Sequence, residues 1–112
     1  MDKKELEKRT KKFALQVIKF VAELPKNKIT NVLGYQLLKC ETSIGANYRE
    51  ANRAQSRQDF IHKIAIVEKE ASETQYWLEI IVKVKWLSWA KVKWEYEECS
   101  ELLGIFTSAA NK

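Results

Sequence analysis

Carboxylates and the single histidine are the residues of this chain whose chemistry could hold a metal ion. Four glutamates follow one another along one predicted helix: Glu68, Glu70, Glu73 and Glu79. A di-iron helical site needs Glu-x-x-His pairs that converge from different helices, but His62 has only Asp59 at that upstream spacing. No glycine-rich phosphate loop or nucleophile–base pair accompanies them. The sequence therefore predicts no metal, no cofactor and no catalytic residues.

Basic residues offer a different chemistry, the binding of phosphates. The formal net charge is +5 and the isoelectric point is near 9.2, values that suit a polyanion partner. The candidate nucleic-acid-binding residues are Lys4, Lys8, Arg9, Lys12, Arg49, Arg53 and Arg57. A further cluster interleaves lysines with indoles that could stack on bases or pack in an oligomer: Lys83, Lys85, Trp86, Trp89, Lys91, Lys93 and Trp94.

The elements that must position these residues are four amphipathic helices. Apolar residues recur at spacings of three and four almost from end to end, as in helices packed along one stripe. The first stripe comprises Leu6, Thr10, Phe13, Val17, Phe20 and Leu24. The second comprises Leu33, Leu37, Cys40, Ile44, Asn47 and Ala51. The third comprises Phe60, Ile64, Val67, Ala71, Thr74, Leu78 and Ile81, and the fourth Trp89, Val92, Tyr96, Cys99, Leu103, Phe106 and Ala110.

Turn signals separate the stripes. Pro25 cannot continue a helix, and Ser56 resembles a helix N-cap. We expect the last turn at Leu87 and Ser88, which gives a third helix of about 30 residues.

Short connections predict an antiparallel up-down-up-down four-helix bundle in one domain, residues 1–112; two extended hairpins that dimerise are the alternative. In such a bundle the start of the first helix and the turn between the second and third share one end. Their cations would then form one basic surface that could bind phosphates. The alternative is a solvated charged end, in which Glu5, Glu7 and Glu50 offset much of the positive charge.

Small and polar residues on the second helix predict close packing. Gly45 and Ala46 favour a near approach of another helix, and Asn47 lies on the core stripe. We interpret Asn47 as a hydrogen-bonded register pin, with Glu73 among its possible partners.

A second apolar stripe on the third helix exceeds what one bundle needs and predicts self-association. The candidate oligomer-interface residues are Ile66, Trp77, Ile80, Val84, Trp86 and Trp94. The alternative is a broad core stripe with a few exposed aromatics.

Cys40 and Cys99 match no zinc or redox spacing and are expected to be reduced and buried. The charged N-terminal segment lacks the apolar stretch of a signal peptide, and no segment approaches a membrane span. A cytoplasmic location is expected.

Several strings together resemble the bacterial four helix bundle protein family, also called the 23S rRNA intervening-sequence protein family. They are Leu24-Pro25, Gln36-Leu37, Ser43-Ile44-Gly45-Ala46-Asn47, Arg53, Ser56, Asp59-Phe60, Glu70-Ala71-Ser72-Glu73-Thr74 and Tyr76-Trp77-Leu78. The resemblance implies an up-down four-helix bundle that often assembles as a pentamer, and it supplies no catalytic residues. A related protein, the accessory variability determinant of diversity-generating retroelements, is a basic pentamer that binds nucleic acid and a reverse transcriptase. Glu50-Ala51 departs from the Glu-Gly of many members.

Together these features predict a non-enzymatic, homo-oligomeric and pentameric bundle that binds RNA or another polyanion. The alternative is a protein–protein adaptor or scaffold, for example for a reverse transcriptase, without a nucleic-acid function of its own.

Overall fold

The computed structural model describes residues 1–110 and contains four α-helices. They are α1 (Lys3–Ala22), α2 (Lys28–Ala51), α3 (Arg57–Lys83) and α4 (Trp89–Ala110). Each helix packs against the next, and α1 also packs against α4. The helices therefore close into one up-down-up-down bundle of 44 × 24 × 20 Å, as predicted, and not into two separate hairpins.

Side-chain caps begin the first three helices. Asp2 accepts a hydrogen bond from the Glu5 amide at 2.8 Å, and Asn27 accepts one from the Thr30 amide at 2.9 Å. The Ser56 hydroxyl accepts one from the Asp59 amide at 3.0 Å, which confirms the predicted cap. Each bond satisfies a backbone donor that the helix itself leaves unpaired.

The turn between α3 and α4 starts earlier than the sequence indicated. We expected it at Leu87 and Ser88, but α3 ends at Lys83 and Lys85 takes the left-handed conformation with φ of 64°. A lysine is uncommon in this conformation. Because neither glycine nor proline lies between the two helices, the sequence carries no clear signal for the turn.

The predicted stripes form most of the core. All six residues of the first stripe are buried, as are six of the seven in the third. In α4 the stripe differs: Trp89 is exposed, and Leu102 and Glu95 are buried. Within residues 1–110, no helix has the length and apolar character required to cross a membrane.

Candidate polyanion-binding groove

The groove between α1 and α2 contains two cavities, and two glycines allow its helices to approach closely. A Cβ atom on Gly45 would lie 3.3 Å from the Thr10 hydroxyl oxygen, and one on Gly34 would lie 3.2 Å from Val21 Cγ1. Eleven residues, about three turns, separate the two glycines, so both face α1. The expected role of Gly45 in close packing is thus confirmed.

Cations surround the end of this groove where α1 begins and α2 ends. Lys4, Lys8, Lys11 and Arg49 line a cavity of about 390 Å³, here called the basic half of the groove. Its floor is formed by small side chains: Thr10, Ala14, Thr42, Gly45 and Ala46. The antiparallel topology therefore brings the cations of α1 and α2 together as predicted.

None of these four cations takes part in an ion pair within residues 1–110. Glu7 is the one acidic residue of the lining, and its carboxylate accepts a hydrogen bond from Asn52 at 2.8 Å. Four positive charges against one negative charge leave the basic half with a net positive potential. Phosphate contacts need little more than such clustered cations.

Arg9 does not belong to this surface. Its guanidinium donates two hydrogen bonds to Glu98, at 2.8 and 2.7 Å, and lies 2.9 Å from Glu101. The pKa of Arg9 is raised, and the hydrogen bonds to Glu98 are the main cause. The Arg9 side chain therefore joins α1 to α4 and does not line the cavity, and its role in polyanion binding stays a prediction.

The remaining candidates lie outside the cavity. Lys12, Arg53 and Arg57 are exposed but do not line the groove. Lys11, absent from the candidate set, does line it. The spacing Lys4, Lys8, Lys11 is that of one helix face and could have identified Lys11 from the sequence.

The same groove continues toward the other end of the bundle with different side chains. A second cavity of about 460 Å³, here called the apolar half, begins one turn beyond the first on both helices. Its lining residues are mostly apolar: Ile18, Val21, Ala22, Leu24, Pro25, Lys26, Thr30, Asn31, Gly34, Tyr35 and Leu38. Sequence analysis did not single out this surface.

Asn47 packs differently from the expected register pin. It is half-buried, and its amide donates to the Ser43 carbonyl of its own helix at 2.8 Å. Glu73, a proposed partner, is exposed. Tyr48 instead occupies the buried stripe position, where its ring lies 5.2 Å from that of Phe106.

The predicted oligomer-interface residues divide into two groups. Val84 and Trp94 are exposed, by 47% and 43%. The other four are half-buried: Ile66, Trp77, Ile80 and Trp86. Trp77 and Trp86 pack against the bundle's own core. Packing within one chain therefore explains part of the second apolar stripe, and that part needs no partner protein.

Cys40, Thr74 and Cys99, all members of the predicted stripes, lie inside the bundle. Both cysteines are buried, as expected; Cys40 accepts a hydrogen bond from Thr74 at 3.3 Å, and Cys99 donates to the Ala71 carbonyl at 3.3 Å. Burial raises the pKa of Cys40 to about 11 and of Cys99 to about 12. Both thiols are therefore protonated at neutral pH and unsuited to nucleophilic chemistry.

Glu41 is the least expected member of the core. Its side chain is fully buried, and neither carboxyl oxygen has a hydrogen-bond partner. Burial raises its pKa to about 9, so the carboxyl is protonated at pH 7. Within residues 1–110, no group of three or more histidine, cysteine or acidic side chains is arranged to hold a metal ion.

Fold and groove define an up-down four-helix bundle with a charged outer groove. The 23S rRNA-intervening sequence protein family matches residues 2–108, so the chain belongs to that family, which confirms the resemblance seen in the sequence.

A solved structure gives the same fold. The chain is similar to a protein of unknown function from the S23 ribosomal protein family of Bacteroides thetaiotaomicron, with 32% identity over the whole of both chains and a TM-score of 0.92. No curated protein matches the chain.

Proposed function

We propose that this protein is a non-enzymatic, homo-oligomeric bundle of the cytoplasm that binds RNA through the basic half of its groove. The observation that carries the proposal is the cluster of Lys4, Lys8, Lys11 and Arg49 around one cavity, none of them in an ion pair within residues 1–110. The floor has few polar groups to read base edges, so binding should depend on phosphates and show little sequence preference.

The proposed assembly is a pentamer in which the exposed part of the α3–α4 face, where Val84 and Trp94 lie, supplies one side of each head-to-tail contact. Such a ring would carry five copies of the basic half. One RNA could contact several copies at once, and this avidity would strengthen binding beyond that of a single copy. Light scattering should then give five times the chain mass of 13.1 kDa, and Trp94→Glu should lower that mass.

Salt dependence tests the RNA proposal. Anisotropy of a labelled, unstructured RNA should show affinity falling about 50-fold between 50 and 200 mM salt, since about four phosphates per site are neutralised. The double variant Lys8→Glu/Arg49→Glu should lose at least about tenfold in affinity at 50 mM salt with its oligomer mass unchanged.

Lys91→Glu/Lys93→Glu is the matched control, because it changes the charge equally at the opposite end of the bundle. Its RNA affinity should stay close to that of the wild type. An absence of RNA affinity in the wild type at low salt would refute the proposal, and an equal loss in both double variants would refute the assignment to the basic half.

A further inference from the structure

The apolar half exposes more apolar side chain than an isolated soluble bundle needs. On α2, Ile29, Val32 and Tyr35 are 68%, 56% and 61% exposed, and on α1, Leu15 and Ile18 are 56% and 46% exposed. Single exposed apolar residues are ordinary, but contiguous patches mark interaction surfaces. Of these five residues, Ile18 and Tyr35 line the apolar half, and they form one such patch with the apolar side chains of Val21, Pro25 and Leu38.

The shape of the patch fits a helix. On α1, Ile18, Val21 and Ala22 lie within about one turn of one another, and on α2, Tyr35 and Leu38 lie three residues apart. Two such rows on antiparallel helices border the shallow cavity of about 460 Å³. An amphipathic helix placed along this groove would present its own apolar residues to both rows.

Charge around the patch specifies the flanks of that helix. From residue 11 to residue 39 the chain carries one acidic side chain, Glu23, and six lysines: Lys11, Lys12, Lys19, Lys26, Lys28 and Lys39. All six lysines are exposed, and none forms an ion pair within residues 1–110. Carboxylates beside the apolar stripe of the bound helix would complement this rim.

The same charges disfavour a second copy of the chain as the occupant. A second exposed apolar cluster, Val84 and Trp89 at the turn between α3 and α4, lies among Lys83, Lys85, Lys91 and Lys93. Bringing that cluster onto the lysine rim would place like charges together, which opposes association.

We propose that the apolar half is the docking site for an acidic amphipathic helix of a partner protein. This goes beyond the proposed RNA binding and does not depend on it. The two halves of the groove would then give the bundle two different partners, a polyanion at one end and a protein helix at the other.

A pair of peptides tests the proposal on the full-length protein. The probe is a labelled helical peptide of about 14 residues, roughly 21 Å long, with leucines on one stripe and glutamates elsewhere. The control peptide keeps the leucines and replaces every glutamate with lysine. We expect the glutamate peptide to bind at least about tenfold more tightly than the lysine peptide.

Matched variants assign the site. Ile18→Ser/Tyr35→Ser should weaken the glutamate peptide at least about tenfold, while Ile61→Ser/Tyr76→Ser, which changes the same residue types at exposed positions on α3, should leave it within about twofold. Both variants alter exposed side chains, and thermal melts check that each remains folded.

The other outcomes overturn the proposal. Equal affinity for the two peptides, or equal loss in the two variants, would exclude this site. A drop in oligomer mass for Ile18→Ser/Tyr35→Ser would show that a second copy covers the patch, and a loss of RNA affinity alone would show that RNA does. RNA binding that fails while the glutamate peptide binds would refute the proposed function and leave this inference standing.

Discussion

The two halves of the α1–α2 groove share helices and backbone geometry, yet their side chains have opposite chemistry. One stripe of α1 presents Lys4, Lys8 and Lys11 to the basic half, and its next turns present Ile18 and Ala22 to the apolar half. The two cavities are of similar size, about 390 and 460 Å³. The helix pair therefore supplies the shape of both halves, and residue type along one stripe determines which ligand each half suits.

Both halves depend on the close approach of α1 and α2, and breaking that approach should have the largest effect. Gly34→Leu/Gly45→Leu would place side chains against Val21 and Thr10, where even a Cβ atom is crowded. Overpacking at two sites should cost about 4 kcal/mol and lower Tm by about 15 °C.

Gly104→Leu is the control for that double variant, because a Cβ atom at Gly104 meets nothing within 4 Å. It should leave Tm unchanged or raise it slightly, since leucine favours the helix more than glycine does. Equal melting curves for the two variants would mean that the glycines do not set the α1–α2 distance.

Glu41 lies on the buried side of α2 at the level where the two halves meet, and its removal should have the next largest effect. Its pKa is about 9 in the folded protein, whereas an unperturbed glutamate carboxyl has a pKa of 4.5. The folded state thus retains a proton that the unfolded chain releases above pH 4.5. The contribution of Glu41 to stability is therefore highest below that pH and falls by up to about 1.4 kcal/mol per unit as pH rises toward 9.

Glu41→Leu should therefore stabilise the protein by about 3 kcal/mol at pH 8 and by much less at pH 5. Denaturant unfolding at both pH values measures the difference between variant and wild type. Glu73→Leu, at an exposed position, serves as the control and should show no such growth with pH. A gain that is constant across this range would contradict a protonated Glu41 in the core.

Sequence patterns predicted the parts of this fold that depend on one helix at a time. The α1 core stripe, the Ser56 cap and the break at Pro25 are local features, and all three appear in the structure. Glu41 was missed although Leu37, Glu41, Ile44 and Tyr48 have the spacing of one buried stripe, because a carboxylate is rarely buried without a partner.

The groove could be predicted only in part, because it depends on which neighbour each helix face meets. Lys8 and Arg9 are adjacent in sequence, but a helix turns by about 100° per residue. Lys8 consequently faces the groove with α2, and Arg9 faces Glu98 on α4. Net charge and clustering gave these two residues the same role, and only the packing of α1 between α2 and α4 separates them.

Adding lysines on the α1 stripe toward the apolar half tests whether residue type alone distinguishes the two halves. Leu15→Lys/Ile18→Lys extends the cationic stripe of Lys4, Lys8 and Lys11 into the apolar half. RNA affinity at 50 mM salt should rise about tenfold, with a steeper salt dependence, as two more phosphates are neutralised. Binding of the glutamate–leucine peptide should become salt-dependent and weaker. An unchanged RNA affinity would mean that the two halves are not one continuous surface.

Arg9 and Lys8 provide the finest test, since they are neighbours with different roles. Arg9→Gln should destabilise the bundle by about 1 kcal/mol, because Glu98 and Glu101 lose their cationic partner, but RNA affinity should change less than about twofold. Lys8→Gln should leave Tm unchanged and reduce the salt slope of RNA binding by about 0.7, the value for one phosphate contact on a single strand. Paired melts and salt titrations of the two variants measure both quantities. If Arg9→Gln lowered the salt slope as much as Lys8→Gln, the RNA-binding surface would extend around α1 to α4 and would not be confined to the α1–α2 groove.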